Sequence, residues 1–132
     1  ARVKSETRIE QRLITITVGE VEVAALLNDS ATAGLLWAAL PTQASVSTWG
    51  DEIYFRTDLP AVEDDAQEVV EIGDVAYWPP GQALCVFFGP TPASRGDEIR
   101  PASAVNVIGS VEGDPTVLKQ VKAGSHVRVE KA

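Results

Sequence analysis

The sequence predicts a mainly β chain curled into a compact closed barrel, with one main helix and one short helical turn. Three observations carry this expectation. Apolar and polar residues alternate with a period of two in several short runs, the period changes clearly between Asn28 and Pro41, and glycine or proline separates most of the runs. Closure follows because many short strands in a small chain leave exposed edges unless the sheet meets itself.

Residues Arg12 to Val18 place Ile14, Ile16 and Val18 on one side, with Leu13, Thr15 and Thr17 on the other. After Gly19, the alternation of Val21, Glu22 and Val23 predicts a returning strand, and such a ribbon is marginal until further sheet covers it. Asn28, Asp29 and Ser30 then offer capping oxygens to a helix whose Leu35, Leu36, Trp37 and Leu40 form an apolar stripe stopped by Pro41. Gly34 costs that helix about 1 kcal/mol relative to alanine, so packing of the stripe must compensate. Trp37 is expected against the core or its rim.

Val46 to Trp49 and Glu52 to Arg56 read as strands joined by a turn at Gly50 and Asp51. A loop from Thr57 to Asp65 holds Pro60 and the acidic pair Asp64 and Asp65, which is expected to be hydrated. Strand character returns near Glu68, turns at Gly73 and Asp74, and continues through Tyr77. Pro79 and Pro80 have no backbone donor and Gly81 permits a bend, so they end that strand and aim the chain into the next. Leu84 to Phe88 is an apolar strand with Cys85 and Phe87 on one side and Val86 and Phe88 on the other. Ser94 to Pro101 reads as a loop, Ala104 to Val111 as a strand, Asp114 to Val121 as a short helical turn begun by Asp114 and Pro115, and His126 to Glu130 as the last strand.

A length of 132 residues with 45% hydrophobic residues suits one domain with one core, residues 1–11 being an N-terminal extension or edge strand. No apolar run approaches the roughly 18 residues of a membrane span, and the first ten residues lack the apolar region of a secretory leader. The lone Cys85, between Leu84 and Val86, is expected to be a buried, inert thiol, which fits a cytoplasmic location. Nineteen acidic residues against eleven Lys and Arg give a formal charge of -8, which opposes binding to a phosphate backbone. Neither nucleic acid nor membrane is therefore an expected partner.

The chemistry-bearing residues form no enzyme signature. His126 is the only histidine and has no His/Cys spacing for a metal. Ser94, Ser103 and Ser110 have no local activating partner, Asp64 and Asp65 have no acid-base spacing, and Gly73, Gly81 and Gly89 lie too far apart to cradle a phosphate. No cofactor is expected.

Four blocks, taken together, carry a resemblance over nearly all of the chain after Arg12. They are LLNDSATAGLLWAALP (Leu26 to Pro41), TWGDEIYF (Thr48 to Phe55), GDVAYWPPGQALCVFFGPTP (Gly73 to Pro92) and IRPASAVNVIGSV (Ile99 to Val111). Their order and wording resemble the small bacterial and archaeal cyclophilin-like proteins, an atypical branch of the cyclophilin fold whose function is not established. The likeness implies a cyclophilin-like β barrel whose main helix holds Leu35 to Leu40. It does not carry prolyl isomerase activity with it. The true isomerases hold an arginine beside an apolar proline pocket, and this chain lacks their Phe-His-Arg phrase; Arg56, after Tyr54 and Phe55, is the nearest residue to it.

Alternation puts one member of each aromatic pair inside the barrel and its neighbour outside: Tyr54 or Phe55, Tyr77 or Trp78, Phe87 or Phe88. The outer members, next to the Pro79–Pro80 turn, make an aromatic rim to which Gln82 and Asn106 add polar registration. The candidate ligand-binding residues are therefore Tyr54, Arg56, Tyr77, Trp78, Gln82, Phe88 and Asn106. The expected function is binding of a peptide or small apolar ligand without established turnover. The alternatives are a divergent prolyl isomerase and a homo-oligomer that buries the aromatic rim.

Overall fold

The structure is a computed structural model, and it describes residues 11–132. Apart from Gln11, the expected N-terminal extension lies outside the described residues. Among the described residues there are nine strands: β1 (Arg12–Val18), β2 (Val21–Leu27), β3 (Thr42–Ser45), β4 (Ser47–Thr48), β5 (Glu52–Arg56), β6 (Asp74–Trp78), β7 (Ala83–Phe87), β8 (Asn106–Glu112) and β9 (His126–Lys131). One α-helix, α1 (Ala31–Ala39), and two 3-10 segments, Pro79–Gly81 and Pro115–Gln120, complete the elements.

The strands form a single antiparallel sheet in the order β3-β9-β1-β2-β8-β6-β7-β5-β4. Its two end strands are consecutive in sequence, separated by Val46 alone. Val46 donates its N–H to the Ser125 carbonyl at 2.9 Å and accepts from Gly124 N at 2.8 Å, so the bend between β3 and β4 brings the sheet's ends together into a nearly closed barrel. The predicted closure is nearly complete.

The inward sides supply the main core. Ile14, Ile16 and Val18 of β1, Ile53 and Phe55 of β5, Tyr77 of β6, Leu84 and Val86 of β7, Phe88 and Ile108 pack into one buried cluster. The helix plugs one side of it with fully buried Ala33 and Leu36, while Leu35, Trp37 and Leu40 lie partly buried against it. Ser30 is the N-cap, its Oγ accepting from Ala33 N at 3.2 Å, so the helix starts three residues beyond the first of the expected capping residues. Trp37 keeps its rim position, with Lys131 Nζ 4.5 Å above its ring.

Two expectations about strands need correction. The predicted strand character from Glu68 to Gly73 reduces to isolated bridges, Gln67 to Val105 and Val70 to Ile99, and the continuous strand begins at Asp74. Asp74 accepts from Glu71 N at 2.9 Å through its own carboxylate, which folds that stretch into a turn rather than a ladder. The predicted strand Val46 to Trp49 is interrupted: β3 precedes it, and Val46 itself is the bend. β8 carries a bulge where Ile108 is the extra residue, since Val75 pairs with Gly109 while Ala76 pairs with Val107.

Gly109 is required where β8 passes β2. A side chain there would collide with the Leu26 carbonyl oxygen and approach the Leu27 Cα at 2.9 Å.

Candidate functional site

A second, smaller apolar cluster lies on the outer side of the barrel wall. β7 is buried along its whole length, Ala83 to Phe87, so both of its sides are covered. Its outward residues Cys85 and Phe87 join Ala76 of β6, and the segment that follows β7 folds back over them, contributing Ile99 and Val105. That segment is fastened at intervals. Gln67 exchanges both backbone hydrogen bonds with Val105, Val70 N donates to the Ile99 carbonyl at 2.9 Å, and Ser94 Oγ accepts from both Thr91 N and Arg100 N at 3.0 Å. Trp78 Nε1 donates to Ser103 Oγ at 2.6 Å, joining the edge of β6 to the same cover.

Between the wall and its cover lies a half-enclosed cavity of about 250 Å³. The wall contributes Glu52 and Tyr54 from β5, Trp78 from β6 and Cys85 from β7; Trp49 comes from the turn before β5, and Pro101, Ala102 and Val105 come from the cover. Register explains the grouping. Glu52 and Tyr54 are two apart on one side of β5, and antiparallel pairing sets them opposite Phe87 and Cys85 on β7. Gly81 matters to the same site, because the Trp78 indole lies where a side chain at Gly81 would project.

Glu52 is the unusual member. It is only 5% exposed, and among the described residues no backbone N–H and no nitrogen side chain donates to its carboxyl. Burial, only partly offset by the neighbouring Cys85 thiol, raises its pKa from 4.5 to about 7. Cys85 is buried as expected; desolvation and the adjacent Glu52 carboxyl push its thiol well above the ordinary value, so it stays protonated and unreactive. The site is therefore an aromatic and apolar recess with one carboxyl that changes charge near neutrality.

The residues expected to bind ligand separate into three groups. Tyr54 and Trp78 reach the cavity. Tyr77 and Phe88 point the other way, into the barrel core, where the Tyr77 hydroxyl donates to the Thr57 carbonyl at 2.8 Å and accepts from Leu59 N at 3.3 Å. Asn106 is also buried away from the cavity: its Nδ2 donates to Thr32 Oγ1 and to the Val62 carbonyl, and its Oδ1 accepts from Asp64 N. It ties helix, loop and barrel together. Arg56 and Gln82 sit beyond the cavity at the strand end, the guanidinium donating to Gln82 Oε1 and to Asp58 Oδ1, each at 2.8 Å.

The sequence reasoning missed Trp49 and Glu52. A usable signal existed: a strand apolar at every position, 83–87, must be covered on its outer side, and alternation along β5 places Glu52 and Tyr54 on one side beside it. Elsewhere, His126 Nε2 lies 2.9 Å from Gln43 Oε1 on the surface, and Asp64 and Asp65 are exposed in their loop. Among the described residues, no group of three His, Cys, Asp or Glu side chains is placed to hold a metal ion, and no helix is long and apolar enough to cross a membrane.

A nearly closed antiparallel barrel plugged by one helix, with a recess on the outer side of its wall, defines a small β-barrel protein of the cyclophilin type. The chain belongs to the cyclophilin-like family, whose model matches residues 12–130. It is similar to the solution structure of the hypothetical protein AF2241 from Archaeoglobus fulgidus, with 41% sequence identity, a TM-score of 0.79, and coverage of 92% of this chain and 95% of that one. No curated protein matches significantly.

Proposed function

We propose that this protein is a binding module that receives a peptide or small apolar ligand in the aromatic-lined recess on the outer side of β5, β7 and β6, without turnover of its own. The cavity itself is the supporting observation: Trp49, Tyr54 and Trp78 surround about 250 Å³, just below the roughly 300–1,000 Å³ of drug-sized sites. That volume suits one side-chain-sized group rather than an extended segment. Aromatic walls favour association through burial and stacking, whereas acceleration needs groups that act more strongly on the transition state.

Arg56 is the feature that bears on the isomerase alternative. It follows Tyr54 on the same side of β5, yet its guanidinium is engaged by Asp58 and Gln82 and it does not line the cavity. Titration of labelled protein with a panel of X-Pro peptides and small apolar alcohols tests the binding reading. The indole resonances of Trp49 and Trp78 are expected to shift together, and their indifference to every ligand refutes it. Magnetisation-transfer measurement of X-Pro exchange in the same samples is expected to give the uncatalysed rate; acceleration that disappears in Arg56→Ala establishes the enzyme instead.

A further inference from the structure

The lining of the recess is chemically lopsided. Among the described residues it holds three aromatic side chains and one carboxyl, but no Lys, Arg or His. A buried carboxyl ordinarily has a cation or several N–H donors as partners, and among the described residues Glu52 has neither, with only the Cys85 thiol beside it. Among the described residues, basic side chains on or beside the elements that line the recess are paired elsewhere: Arg56 with Asp58, Arg100 with Glu98, and Lys119 with Asp51. What the recess lacks is a positive charge with an apolar surround.

We infer that the group this cavity takes is an organic cation, a small alkylated ammonium, with Glu52 as its counter-charge and Trp49, Tyr54 and Trp78 as its walls. The inference rests on the binding reading above and adds the ligand's charge to it. Aromatic rings attract cations through their quadrupoles, and the attraction grows where water is excluded. Alkyl groups on the nitrogen gain from the apolar lining, which a bare ammonium or a metal ion would not. The chain's charge of -8 also raises the local concentration of cations. A neutral carbonyl compound, accepting a hydrogen bond from the protonated carboxyl, uses neither the ring quadrupoles nor that field.

Choline and its uncharged isostere 3,3-dimethyl-1-butanol are the probes, titrated calorimetrically into the full chain at pH 8, with the Trp49 and Trp78 indole resonances locating the site. Choline is expected to bind about tenfold more tightly than the alcohol, and Glu52→Gln is expected to reduce that preference to the smaller share the aromatic rings supply. A second measurement needs no variant. At pH 7, choline should expel a fraction of a proton, read from heats in two buffers of different ionisation enthalpy. Besides Glu52, the titratable groups on the lining are Tyr54 from β5 and Cys85 from β7, and phenols and thiols ordinarily ionise above pH 7. The cover contributes none, so the released proton is that of Glu52. Equal affinities, tighter binding of the alcohol, or choline uptake without proton release overturns the cation assignment while leaving the recess a binding site. If neither probe binds at millimolar concentration, the apolar-ligand reading falls with it.

Discussion

Replacing Glu52 with glutamine isolates the cost of keeping a carboxyl in the recess. A group that ionises at about 7 in the folded chain and near 4.5 when unfolded makes the folded state bind more protons over that interval. Stability then falls as pH rises from about 4.5 to about 7 and levels off above, which is the sign for a folded-state value raised by burial. The full separation corresponds to about 3 kcal/mol; water entering the adjoining cavity lowers this, so we expect about 1–3 kcal/mol. Glutamine keeps the shape and cannot ionise. Urea unfolding of both proteins at half-unit steps from pH 5 to pH 8.5 gives the difference directly, because shared slopes from other groups cancel. Those include Asp74, whose pKa burial raises, and Asp114, whose pKa hydrogen bonding to Thr116 lowers. The variant should gain on the wild type as pH rises, by about 1–3 kcal/mol at the upper end. Parallel curves over the whole range would show that Glu52 is as well solvated folded as unfolded, and the account of the recess would be wrong.

Asn106→Ala leaves the Asp64 amide, the Thr32 hydroxyl and the Val62 carbonyl without their partner and should cost about 2–4 kcal/mol in urea unfolding, whereas Tyr77→Phe should cost about 1–2 kcal/mol. Gly109→Ala forces β8 away from the β2 backbone and should cost about 3 kcal/mol or more, visible as loss of slow amide exchange in both strands. Cys85 should react with a thiol reagent at a negligible rate in the native protein and promptly once unfolded; native reactivity would contradict its burial.

Much of the fold was legible because alternation is a local property. β1 reads directly from Ile14, Ile16 and Val18, and the helix from its cap residues and apolar stripe before Pro41. β3 was not legible: Thr42, Gln43, Ala44 and Ser45 carry one small apolar residue among them, and the strand exists because β9 offers its edge. The same limit applies to the site. Alternation fixes that Tyr77 and Trp78 face opposite ways, but which of them is inward depends on pairing with β7 and β8, which no local pattern contains. Local pattern therefore groups Tyr77 and Phe88 with Tyr54 and Trp78, although the barrel wall stands between the pairs. Glu52 escaped notice because a glutamate opening a strand looks like solvent-facing punctuation until the cover over Phe87 is known.

Glu52 is a place where the wall departs from what the fold alone would select. A leucine or methionine there would bury without desolvating a charge, and the cluster of Cys85, Phe87 and Val105 would accept it. The carboxyl weakens the folded state above neutrality, and among the described residues no cation or N–H group relieves it. An external cation would relieve it, because ionisation that is unfavourable in the empty recess becomes favourable beside a positive charge. Stability and binding are then two readings of one equilibrium. A ligand that draws the proton from Glu52 must stabilise the chain more at pH 8 than at pH 5, at saturating ligand by RT times the logarithm of the ratio of its affinities under those conditions. A neutral ligand seated on the same rings would show the opposite trend or none, so thermal unfolding with choline at the two pH values distinguishes a recess built for charge from one that is merely apolar.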